Sequence, residues 1–185
     1  MIDALIKFAE AQMELQPHFV AWRLGASMFG FDGEKIPDPV GLVVGDAPDR
    51  NSNPLLPLFP HPEDSTGSRL LGYGNLRYED FLGKLIRVNL DEWGTAQESE
   101  KKERVEIFRD EAAARQLRVL LVGNRVRDAF GCTREFGRAR LASRNGKPVD
   151  VGWVPSMDKL NRRSDYIAQE MTGLYVRWVA GGREP

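Results

Sequence analysis

One cysteine, Cys132, and two histidines, His18 and His61, are the only thiol and imidazole metal ligands among 185 residues. A lone thiol excludes an internal disulfide and a four-cysteine zinc or iron–sulfur site. Two histidines without a partner at metal spacing argue against a structural metal. No apolar run approaches the ~20 residues that a membrane-spanning helix needs, so no membrane partner is expected. The stretch 1–16 carries acidic residues in a helical period where a secretory signal would carry a basic run and an apolar block; cytoplasmic residence is the expectation.

What the chain does have is a composition that can bury a core, with 42% hydrophobic and 29% charged residues, and a length that suits one domain over residues 1–185. Charge is balanced overall but not along the chain. Residues 1–114 carry 12 Lys/Arg against 20 Asp/Glu, whereas residues 115–163 carry 12 against 4. Such a basic half suits a phosphate-facing surface, and equally a set of scattered solvated arginines.

Periodicity divides the chain into alternating elements. Apolar Leu5, Phe8, Ala9 and Met13 form a helical stripe that ends before Pro17. Val40 to Val44 is a short apolar run closed by Gly45, the pattern of a strand buried on both faces. Residues 46–66 hold five prolines and little periodicity, a loop of the length that usually carries function. Short helices are expected at 67–72 and 78–83, a second strand at 84–90, and a long helix at 98–116. A third strand follows at 118–122, then a turn at Gly123, a helix at 124–130, a fourth strand at 149–154 and a closing helix at 164–179. That last helix sets Tyr166, Ile167, Met171, Leu174, Tyr175 and Trp178 at helical spacing, as a core-facing stripe. Alternation of this kind predicts an α/β three-layer αβα sandwich around a mainly parallel four-stranded sheet.

Ligands of such sheets sit beyond the carboxyl ends of the strands. Three segments meet that rule where an apolar run turns polar or Pro-bearing: Gly45-Asp46-Ala47-Pro48, Asn89, and Val154-Pro155-Ser156. In order and spacing they resemble the uracil-DNA glycosylase superfamily, which has a Gly-x-x-Pro loop after the first strand, an Asn ending the second and a His-Pro-Ser loop after the last. The subclass with a Gly-Glu-Ala-Pro loop is the most similar. Leu58-Phe59, Gly67-Ser68-Arg69-Leu70-Leu71 and the segment 121–131 also look like its later motifs, so the resemblance spans roughly residues 40–163. Two departures stand out: the four cluster cysteines are missing, and Val154 replaces the motif histidine that stabilises the departing base, a donor worth ~10²–10³ in rate.

The resemblance implies hydrolysis of an N-glycosidic bond in DNA, without a cofactor, at a uracil-like or modified pyrimidine swung out of the helix. Asp46 would position the water and Asn89 would read the base edge, which makes these two the candidate catalytic residues. Gly45, Ala47, Pro48 and Phe59 would complete the base pocket, with Phe59 stacking on the base. Ser156, Lys159, Asn161, Arg162 and Arg163 would hold the DNA strand, and Met157 or Leu160 would wedge into the base stack. Val154 leaves two alternatives open: a silent pseudo-glycosylase that binds DNA or a protein partner, and a transferase that modifies the base and leaves the glycosidic bond intact. Plain structural roles compete residue by residue. Asp46 suits a turn, Asn89 a loop amide, Phe59 a core anchor, and 161–163 the start of the last helix. Cys132, after a helix-ending glycine, reads as a small buried side chain.

Overall fold

A computed structural model describes residues 39–48, 57–60, 64–91, 95–157 and 166–183. The expected N-terminal helix lies outside these residues. In chain order the elements are β1 (Gly41–Gly45), α1 (Thr66–Gly74), α2 (Tyr78–Lys84), β2 (Leu85–Asn89), α3 (Glu98–Arg115), β3 (Arg118–Val122), α4 (Asn124–Ala129), β4 (Gly137–Ala142), β5 (Pro148–Val154) and α5 (Tyr166–Val179). The fold is α/β. Among the described residues no helix is long and apolar enough to cross a membrane.

The sheet has five strands in the order β2-β1-β3-β5-β4, which corrects the expectation of four. Neighbours β2, β1, β3 and β5 run parallel, while β4 pairs antiparallel with β5 and makes the sheet mixed. The extra strand, Gly-Arg-Ala-Arg-Leu-Ala, alternates half-buried with exposed positions. It carries no apolar run because its alternate positions, Arg138, Arg140 and Ala142, are exposed, and charge of this kind protects an edge from unwanted pairing. Ser143 closes the β4–β5 hairpin by donating its N–H to the Lys147 carbonyl at 2.9 Å, and Gly146 supplies the positive φ of 72° that the turn requires.

Each face of the sheet has its own core. Leu42, Val44, Ile86, Val88, Val119, Leu121, Val151 and Trp153 pack under α3 and α4, meeting Val105, Phe108, Ala112 and Val126. Val43, Leu85, Leu120, Val122 and Val154 pack on the other face under α1, α2 and α5, meeting Leu70, Phe81, Val176 and Trp178. Helices thus cover both faces, as the alternation predicts. Local signals set the helix ends. Ser65 caps α1 by accepting from the Ser68 N–H at 3.1 Å, and Glu100 reaches back to the Gln97 N–H at the start of α3. Helix α1 lies close to α5 because Gly173 has no side chain; a Cβ there would meet the Tyr73 carbonyl oxygen. Tyr175 and Trp178 are core as expected, whereas Tyr166 is 71%, Ile167 74% and Leu174 37% exposed, which corrects their place in the core-facing stripe, since these three lie on the solvent side of α5.

Candidate functional site

After β1 the chain goes to one side for β2 and then returns to the other side for β3. That reversal opens a crevice at the carboxyl ends of β1 and β3, the place where α/β sheets bind ligands. A cavity of about 350 Å³ lies there. Gly45, Asp46 and Ala47 from the end of β1 line it, together with Val122, Gly123, Asn124 and Arg125 from the end of β3, Ser156 and Met157 from beyond β5, and Leu58 and Thr66 from the loop and start of α1. Its volume sits at the small end of the ~300–1,000 Å³ typical of small-molecule sites.

Asp46 is held in place by its backbone. The Leu90 N–H donates to the Gly45 carbonyl at 2.8 Å and the Asp91 N–H to the Asp46 carbonyl at 2.7 Å, so the β1–β2 ladder continues beyond both strands. Asp91 is fixed in turn, since its buried carboxylate accepts from the N–H groups of Thr95 and Ala96 at 2.9 and 3.1 Å. The Asp46 side chain, 33% exposed, faces Arg125 with Oδ2 3.4 Å from Nη1.

Asn89 is 3% exposed and sits beneath this wall. A Cβ on Gly45 would lie 2.7 Å from Asn89 Oδ1 and 3.1 Å from Leu58 Cδ2, so the amide and the Leu58 side chain share the gap that the glycine leaves. Asn89 itself does not line the cavity; it packs behind Gly45, which does. Leu58 holds a positive φ of 51°, which costs a branched residue about 1–3 kcal/mol. Helix α1 accommodates that strained turn with Gly67, where a Cβ would meet the Leu58 carbonyl.

Of the residues singled out in the sequence, Gly45, Asp46, Ala47 and Ser156 come together in the cavity and Asn89 adjoins it. Pro48 and Phe59 lie outside the described lining. Phe59 packs against the core under α1, α2 and α5, its carbonyl accepting from Ser65 Oγ at 3.0 Å, and its neighbour Leu58 supplies the apolar wall. Lys159, Leu160, Asn161, Arg162, Arg163, His18 and His61 lie outside the described residues. Met157 is 2% exposed and part of the core, which corrects its proposed role as a wedge. Val154 is 1% exposed with its side chain in the apolar core, while its carbonyl accepts from the Gly123 N–H at 3.0 Å. Cys132 is buried, and burial pushes its thiol up.

The comparisons with family models, curated proteins and solved structures returned no match for this chain. The site therefore stands on its own geometry. Sequence reading missed the whole β3 side of the cavity, Gly123 to Arg125. The rule that selected the ends of β1, β2 and the last strand also selects the end of β3, where Arg118 to Val122 gives way to Gly123, and it had only to be applied there. Gly123 has a φ of 99°, and a Cβ on it would lie 3.8 Å from the Ser156 Cβ, so this turn and the Ser156 loop face each other.

Proposed function

We propose that this protein binds DNA and hydrolyses the N-glycosidic bond of a flipped uracil-like or modified pyrimidine. The observation that carries the reading is the convergence of three chain-distant strand ends on one nucleotide-sized cavity, with a carboxylate on its wall, a hydroxyl opposite and a buried amide below. An extruded base needs an enclosed site that reads its edge, and an amide offers both the acceptor and the donors that a pyrimidine edge requires. A carboxylate at the mouth orients water toward the sugar carbon. The water oxygen adds to C1′ as the C1′–N bond breaks, the bonding electron pair leaves with the base, and the water proton passes to Asp46. Ser156 donates to a flanking phosphate.

Purified protein is expected to release free base from oligonucleotides carrying uracil, hydroxymethyluracil or other modified pyrimidines, with Asp46→Ala and Asn89→Ala each suppressing release. Full activity in both variants would falsify these assignments. Val154, buried among apolar side chains, favours a second reading in which the same pocket binds DNA without breaking a bond. That reading predicts salt-sensitive binding with no free base and no altered nucleoside.

A further inference from the structure

Only two charged side chains line the described part of the cavity, Asp46 and Arg125, and they face each other at 3.4 Å. The contact is weak by every physical measure. It uses one guanidinium nitrogen, it is long for a charge-assisted hydrogen bond, and the Arg125 side chain is 86% exposed, where solvent screening and side-chain entropy offset most of the attraction. Other arginines of the basic half are engaged more closely. Arg118 donates to the Trp178 and Gly182 carbonyls at 2.7 and 2.8 Å, Arg127 lies 2.7 Å from Asp128, and Arg140 holds Asp150 through two nitrogens. Among the described residues, Arg125 alone combines a place on the cavity wall with a partner that it can exchange.

We infer that Arg125 is the phosphate-binding residue of this site and exchanges Asp46 for a phosphodiester next to the bound nucleotide. A phosphate offers the planar fork two oxygens at once, a better match than the single contact to Asp46. Ser156 lies on the same cavity across from the Gly123 turn, so a hydroxyl donor is at hand for a second phosphate oxygen. The exchange frees the Asp46 carboxylate when the substrate backbone arrives, and it keeps that carboxylate compensated when the cavity is empty. The substrate is therefore a nucleotide within a phosphodiester chain, not a free nucleoside or base. This inference rests on the nucleic-acid reading above, but not on bond cleavage.

The test is a chemical double-mutant cycle read by binding. Wild type, Arg125→Gln and Arg125→Lys are titrated across salt concentrations with fluorescent oligonucleotides that carry one modified pyrimidine. The flanking linkages are replaced one at a time by neutral methylphosphonate. Because Arg125 is exposed, the variants should melt with wild type. Arg125→Gln is expected to weaken binding roughly tenfold, as for loss of one hydrogen bond to a charged group. It should also flatten the dependence of log K on log salt by about 0.9 for duplex or about 0.7 for single strands. One methylphosphonate should weaken wild type to a similar extent and leave Arg125→Gln unaffected, while Arg125→Lys keeps the salt slope and the sensitivity. Equal methylphosphonate sensitivity in wild type and Arg125→Gln, an unchanged salt slope, or no binding by wild type would each overturn the inference. The expected pattern without any release of base would uphold it and reject the hydrolytic reading instead.

Discussion

The two faces of the sheet are built from the same strands yet differ in kind. Under α3 and α4, the residues that β1, β2, β3 and β5 point inward are all apolar, from Leu42 and Val44 through Ile86, Val88, Val119 and Leu121 to Val151 and Trp153. Every glycine, charge and amide of those four strands falls on the other face: Gly41, Gly45, Arg87, Asn89, Arg118, Asp150 and Gly152. Side chains alternate across a strand, so one strand can serve as a packing wall on one side and as a site on the other. The cavity lies at the carboxyl ends of these strands, where Gly45, one of the breaks in the hydrophobic pattern, lines its wall.

That contrast can be broken deliberately. The largest effect is expected on the apolar face. Leu121→Ala should cost about 2–5 kcal/mol in urea unfolding and, under the proposed function, leave DNA affinity per folded molecule unchanged. A change in affinity would show that the two faces are coupled. On the other face, Gly45→Ala would push a methyl group against Asn89 Oδ1, and is expected to lose about 1–3 kcal/mol together with the proposed base binding. Retained binding would detach Asn89 from the site.

Arg87 sharpens the comparison further. Its guanidinium is fully buried, donates to the Phe81 carbonyl at 3.1 Å, lies over the Phe81 ring and leaves Nε without a partner; burial pulls it well below the usual guanidinium range. A buried charge so placed costs stability, so Arg87→Met is expected to melt at or above the wild-type temperature, by up to ~1–2 kcal/mol of stability. A large loss would show that the charge itself organises this face. The smallest effect is expected at the surface of α2. Hydrogen bonds from Lys84 first and Arg77 second hold the Asp80 carboxyl below its usual range. A carboxyl lowered in the folded state stabilises above its unfolded value and loses that contribution as pH falls through the folded one. Asp80→Asn should therefore lose less than about 1 kcal/mol at neutral pH and flatten the acid limb of the stability curve below about pH 4.

Much of this architecture was legible in one dimension. The largely apolar runs around Leu42–Val44, Ile86–Val88 and Arg118–Val122 marked β1, β2 and β3, and the Glu/Lys/Arg-rich stretch before Gln116 marked α3, because burial on two faces and helical period leave strong local traces. β4 left no such trace. Its alternate positions are exposed, unlike those of β2 at the other end of the described sheet, and its arginines are compatible with a loop until the partner strand is known. The candidate site was half legible for the same reason. Strand ends that turn polar are visible in the sequence, but which of them share a hollow is a property of strand order.

The amino-acid order by itself determined the α/β alternation, the absence of a disulfide framework and the strand-end positions of Asp46, Asn89 and Ser156, since each follows from local pattern or from residue type. Only the tertiary structure decided that β3 and not β2 walls the cavity beside β1, that Leu58 and not Phe59 faces it, and that Arg125 meets Asp46 from 79 residues away. The physical reason is that a strand's neighbours are chosen by long-range burial, which couples residues whose separation along the chain carries no record of it.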